Sequence, residues 1–183
     1  MRAPSPLPLA PAVRYTFTMS EPAPRPRRRV VAVIGAGECE EDMAKLAYAV
    51  GKLVAEADAV LVTGGRGGVM AAASRGAGDA GGLVIGLLPG IDPHDADDAV
   101  EVAIPTGMGQ LRNGLVVNSA GAVIAIGGEW GTLSEIGFSL KTGKPVIGLG
   151  TWELAKGGVS SEAIVRVSTA REAVDAALDR YVG

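Results

Sequence analysis

Twice in this chain an apolar run ends in a glycine-rich loop that opens into a helical pattern. Ala59-Val60-Leu61-Val62 leads into Thr63-Gly64-Gly65-Arg66-Gly67-Gly68-Val69-Met70, followed by an alanine-rich segment from Ala71. Ala122-Val123-Ile124-Ala125-Ile126 leads into Gly127-Gly128-Glu129-Trp130-Gly131-Thr132-Leu133-Ser134-Glu135. Strand, glycine loop and helix in succession aim free backbone N–H groups at an anion. One such loop is ordinary turn chemistry. Two of them at the carboxyl ends of strands match the rule for ligand sites in open α/β sheets. A phosphorylated ligand held by Gly64, Gly65, Gly67 and Gly68 on one side and Gly127, Gly128, Gly131 and Thr132 on the other is the expectation. Thr132 reads as a helix cap with Glu135 as its capping-box partner. Glu135 reads equally as a ligand-facing carboxylate.

The surrounding periodicity supplies the rest of a parallel sheet. Strands are expected at 30–34, 59–62, 83–88, 99–104, 122–126, 146–149 and 164–167. Helices are expected at 41–56, 69–80 (interrupted near Gly76 and Gly78), 108–119 and 132–141, with a last one from the Thr169 cap to about Tyr181. Alternating strands and helices indicate an α/β fold, a Rossmann-like doubly wound parallel sheet in a single domain. Hydrophobic residues are 48% of the chain but aromatics only 4%. The core is therefore built from Ala, Val, Ile and Leu, as buried parallel strands are.

Charge separates a tail from this domain. Residues 1–29 hold six Arg and one Glu, whereas the remainder holds 11 basic and 19 acidic residues. The Pro- and Arg-rich segment 1–29 reads as a disordered tail and 30–183 as the ligand-binding domain. Met19-Ser20-Glu21 offers a second translation start besides Met1. The acidic body lacks a basic stripe for nucleic acid, and no apolar run has the length of a membrane span. Cys39 is the single cysteine and His94 the single histidine, so disulfide frameworks, Cys-based zinc clusters and multi-histidine metal sites are excluded. A cytoplasmic protein is expected, with no metal site.

Other candidates surround the glycine loops. Gly35-Ala36-Gly37 begins like a dinucleotide fingerprint, but Glu40 stands where the third glycine belongs. Gly35 and Gly37 read as ligand contacts or as a tight turn. Glu129 and Trp130 lie inside the second loop, and Trp130 is suited to stacking on a planar ring, to covering the core or to a dimer contact. Arg112, set among Leu111, Leu115 and Val116, is the only Lys or Arg between Arg75 and Lys141. It reads as an anion clamp paired with Glu135, or as a helical Arg or internal ion pair. Met70 reads as core.

Together these motifs resemble the Rossmann-like superfamily long labelled "possible lysine decarboxylase". It contains the LONELY GUY-type cytokinin nucleoside-monophosphate phosphoribohydrolases and the molybdenum-cofactor carrier proteins. The resemblance spans about Val30 to Leu149. The Gly-Gly-x-x-Gly-x-Met signature stands as Gly64 to Met70. The hydrolases' Pro-Gly-Gly-x-Gly-Thr-x-x-Glu is altered: Ile126 replaces proline, and one residue is added before Gly131-Thr132. Gly-Gly-x-x-Gly-Thr with Arg112-Asn113 is closer to the carrier branch. The resemblance implies a homodimer or homotetramer that binds a small phosphorylated heterocycle, molybdenum cofactor (as cargo) or a nucleotide, with no cofactor required for catalysis. In the hydrolase alternative Arg112 and Glu135 are the catalytic pair. No motif supports a pyridoxal-phosphate lysine, so lysine decarboxylation is not expected.

Overall fold

The computed structural model describes residues 27–182. The expected tail, 1–29, lies outside the described residues as far as position 26. Of its last three residues, Arg28 pairs with Asp58 at 2.9 Å, and the Arg29 carbonyl accepts from Val60 N.

Seven parallel strands form one sheet in the order β4-β3-β2-β1-β5-β6-β9. They are β1 (Val30–Gly35), β2 (Val60–Thr63), β3 (Val84–Leu88), β4 (Val102–Pro105), β5 (Ala122–Ile126), β6 (Val146–Leu149) and β9 (Ile164–Val167). A two-stranded antiparallel hairpin, β7 (Ala155–Lys156) with β8 (Val159–Ser160), precedes β9. Its turn is Gly157-Gly158, both at positive φ, the backbone a tight hairpin turn requires.

The chain winds outward from β1 through β2, β3 and β4, then returns to place β5 on the other side of β1. Val31 is in register with Ala122, and Gly35 with Ile126. The strand order therefore reverses between β1 and β5, and the crevice above that reversal is where open α/β sheets bind ligands.

Alternation along the strands distributes side chains to two cores. Val31, Val33, Leu61, Ile124 and Ile126 face one side, where α1 (Glu41–Glu56), α2 (Val69–Asp79) and α5 (Ala170–Asp179) pack. Ala32, Ile34, Val62, Val123 and Ala125 face the other, against Val116 and Val117 of α3 (Asn113–Asn118) and Ile136 of α4 (Trp130–Lys141). A full capping box, Thr169 with Glu172, starts α5. Its end is tied to the sheet: Tyr181 Oη accepts from Val30 N at 3.0 Å, and Val182 N donates to Gly121 O.

Three local expectations are corrected. Helix α2 is continuous through Gly76 and Gly78. A Cβ at Gly76 would lie 2.0 Å from Tyr48 O, and one at Gly51 would lie 1.9 Å from Ala73 O. These glycines bring α1 and α2 into backbone contact and break nothing. The segment 108–119 is not one helix but a 3-10 turn, Gly109–Arg112, running into the short α3. Helix α4 starts at Trp130 with Glu129 as its N-cap, and no side chain caps it. Thr132 is thus a buried residue inside the first turn, and Glu135 is no capping-box partner.

Candidate functional site

Above the β1/β5 crevice lies a cavity of about 550 Å³. Its wall draws on each glycine loop and on the 3-10 turn. From the β1 loop come Gly35, Gly37 and Glu38; from the β2 loop and the start of α2, Arg66, Gly67 and Met70. Pro89 ends β3, Gln110, Arg112 and Asn113 span the turn into α3, and Glu129, Gly131 and Glu135 come from α4 and its entry.

The remaining expected residues support this wall from behind or stand beside it. At Gly64 a Cβ would lie 2.6 Å from Arg112 Nη1 and 2.7 Å from Nη2. The missing side chain is the space the guanidinium occupies. Gly68, at φ +63°, lets the β2 loop meet the main chain of Ala36 and Gly37. Gly65 packs on Gly86 and Leu88 of β3. Gly127 is held from β6, its N–H donating to Leu149 O and its carbonyl accepting from Thr151 Oγ1. Gly128 sits against the Thr132 side chain. Trp130 is 75% exposed and lies outside the cavity wall, tilted against Trp152 with ring centroids 5.0 Å apart. Trp152 Nε1 in turn donates to Glu129 O at 3.2 Å.

Helices α2 and α4, whose first turns line the cavity, share one trait. Neither has a side-chain cap, whereas α5, which begins just past the edge strand β9, has two reciprocal cap bonds. An uncapped N-terminus leaves N–H donors and the positive end of the helix dipole available to a ligand.

Arg112 and Glu135 are the buried charges of the site, 7% and 6% exposed. Arg112 Nη1 lies 3.8 Å from Glu135 Oε1, within ion-pair range but too long for a hydrogen bond. Arg112 Nε is buried with no hydrogen-bond partner among the described residues. Burial lowers the guanidinium's pKa, Glu135 opposes that and Arg66 adds to it; a guanidinium nevertheless stays charged. Burial pushes the Glu135 carboxyl up to about 7, against the pull of Arg112. Asn113 Nδ2 donates to Ser134 Oγ at 3.4 Å, joining α3 to α4 beside this pair.

Charge around the cavity is mixed. Arg66 and Arg112 line it together with Glu38, Glu129 and Glu135. The wall thus has cations and free helix N–H groups for an anion, and carboxylates for hydrogen-bond donors on the rest of a ligand. Glu38, Arg66, Met70, Pro89, Gln110 and Asn113 were not singled out from sequence as ligand contacts. Only Arg66, set between two glycine pairs, had a visible local signal. Among the described residues no cluster of three or more His, Cys, Asp or Glu could hold a metal ion, and no helix is long and apolar enough to cross a membrane.

The same architecture recurs in solved structures. The molybdenum cofactor binding protein of the phototrophic bacterium Rippkaea orientalis is similar at TM-score 0.76 and 38% identity, covering 84% of this chain and 97% of that one. The Moco carrier protein of Chlamydomonas reinhardtii is similar at TM-score 0.73 and 33% identity, covering 84% and 98%. An uncharacterized protein of Archaeoglobus fulgidus is 47% identical over 119 residues, 65% of this chain and 78% of that protein. These solved neighbours fall on the carrier side of the resemblance drawn from sequence. Residues 28–175 match the model of the SLOG cluster4 family, and the chain belongs to that family.

Proposed function

We propose that this protein binds molybdenum cofactor, a pterin with a terminal phosphate, as cargo in the cavity above β1 and β5. The observation that carries this reading is the buried Arg112. Its Nε has no partner among the described residues, and the residue lines a cavity to which the uncapped first turns of α2 and α4 contribute Met70 and Gly131. A buried guanidinium whose ion pair with Glu135 is too long for a hydrogen bond is costly, and a ligand oxyanion accepting from its Nη groups offsets that cost. The similarity to two molybdenum-cofactor proteins supports the choice of pterin over nucleotide. In this reading Gly35, Gly37, Gly67 and Gly131 admit the ligand to the main chain. Gly64, Gly65, Gly68, Gly127, Gly128 and Thr132 hold the loops in shape, and Trp130 lies next to Glu129 at the rim. The test is anaerobic purification followed by pterin fluorescence after oxidation and molybdenum measurement by elemental mass spectrometry. Stoichiometric pterin is expected; a protein that neither retains nor takes up the cofactor sinks the reading.

A second reading rests on Glu135. A buried carboxyl raised to about 7 beside an arginine suits acid–base work at a glycosidic bond. Nucleoside 5′-monophosphate hydrolysis would then be the activity. Slow or absent release of free base from adenosine monophosphate is expected, because the longer loop before Gly131 shifts the path to the helix start. Robust release, abolished by Glu135→Ala, would make the protein a phosphoribohydrolase.

The protein is further proposed to be a cytoplasmic homo-oligomer. Exposed Leu111, Leu115 and Phe138 lie on α3, its entry and α4, and light scattering of the purified chain measures the assembly.

A further inference from the structure

The Arg112–Glu135 separation of 3.8 Å is a gap that one oxygen can bridge at hydrogen-bond distance from both groups. A tetrahedral anion accepting from Arg112 Nη1 therefore brings an oxygen against the Glu135 carboxyl. Two oxyanions cannot share that contact unless a proton lies between them. Both protein groups are buried, so water does not screen the repulsion. The other charged groups of the wall do not change this requirement. Arg66 favours the anion, whereas Glu38 and Glu129 are exposed at the β1 loop and the entry to α4. Gln110 and Asn113 are neutral.

We propose that Glu135 is a specificity-determining residue that admits a tetrahedral oxyanion only together with one proton, so that the cavity prefers phosphate to sulfate. Hydrogen phosphate brings its own P–OH, which donates to the Glu135 carboxylate. Sulfate has no proton at neutral pH, and neither has a phosphate monoester dianion. Each of these binds only when Glu135 takes a proton from solvent and donates it to the anion. The carboxyl's raised proton affinity makes that uptake easy near pH 7 and progressively harder above it. The inference rests on the reading that an anion enters this cavity.

Isothermal titration of the full chain with inorganic phosphate and with sulfate, at constant ionic strength between pH 7 and 9, tests it. Sulfate affinity is expected to fall by about tenfold for each pH unit once Glu135 is ionised, the slope of a single linked proton. Phosphate affinity is expected to stay nearly level, and buffers of different ionisation enthalpy should report proton uptake with sulfate only. Glu135→Gln, which offers a permanent N–H donor, should bind sulfate with no pH dependence. Parallel curves for the two anions in the wild-type protein would overturn the proposal without recourse to any variant. So would failure of both anions to bind in the millimolar range, or an unchanged slope in Glu135→Gln. Recovery of pterin cargo without divergence of the two anions would sink this inference alone. Divergence without pterin would sink the carrier reading alone.

Discussion

Replacing Glu135 with Gln should make the empty protein more stable at pH 8 and leave it nearly unchanged at pH 4. The carboxyl's ordinary value of 4.5 is raised to about 7 in the fold. Because the folded protein holds this proton more tightly than the unfolded chain, the group's contribution to stability is complete below about pH 4.5. It is lost as the pH rises to about 7. At about 1.4 kcal/mol for each tenfold change in proton affinity, the loss is about 3 kcal/mol. Gln mimics the protonated carboxyl and does not titrate, so the variant escapes that loss. The attraction of Arg112 is already included, since it opposes the rise. For a chain of this size 3 kcal/mol corresponds to about 6–12 °C in Tm. Urea unfolding of both proteins at half-unit steps from pH 4 to 8.5 gives the difference directly. A gap that opens between pH 4.5 and 7 and then stays level is expected. A variant less stable than wild type at pH 8, or a difference independent of pH, would refute the argument that burial outweighs the ion pair here.

Arg112→Ala should weaken binding of a phosphorylated ligand by roughly 1.5–3 kcal/mol, the range for hydrogen bonds to charged groups; a large fall in Tm with unchanged affinity would instead mark a structural ion pair. Gly64→Ala places a methyl group against Arg112 Nη1, Arg112 Nη2 and Met70 Sδ, all ends of flexible side chains. Affinity should therefore drop roughly tenfold, about 1.4 kcal/mol, while circular dichroism shows an intact fold. Gly51→Ala drives a methyl group into the Ala73 carbonyl and should cost about 1–3 kcal/mol in urea unfolding. Gly137→Ala, on the open face of α4 with nothing within 4 Å, should gain roughly 0.5–1 kcal/mol.

The parallel sheet was readable because its strands are short apolar runs punctuated by glycine and proline, and Pro89 and Pro145 mark boundaries that the fold keeps. What failed was local reasoning about residues whose partners are remote in sequence. Gly76 looks like a helix breaker until Tyr48 arrives from another helix. Thr132 and Glu135 have capping-box spacing, yet the helix begins two residues earlier because Glu129 takes the extended N-cap conformation. The β7–β8 hairpin was missed although Gly157-Gly158 announces its turn; its strands are two residues each, too short for periodicity to register. In the candidate site, Arg112 stood out as an isolated cation. Glu38, Gln110 and Asn113 did not, because loops meet above the sheet by topology, which no spacing in the chain encodes.

The position of β1 at the middle of the sheet has a consequence for synthesis on the ribosome. Its partner on one side, β2, follows after a single helix, but its partner on the other side pairs Val31 with Ala122. A nascent chain that has formed β1 to β4 therefore carries an open parallel edge along β1, beside the apolar residues meant for the second core. Such an edge recruits other chains until it is filled. Emergence of β5 closes the edge along β1, and α4, which follows it directly, completes the cavity with Glu129, Gly131 and Glu135. Stalled or truncated translation products ending before residue 122 should thus be the species that aggregate and engage chaperones, and none of them would present the ligand site.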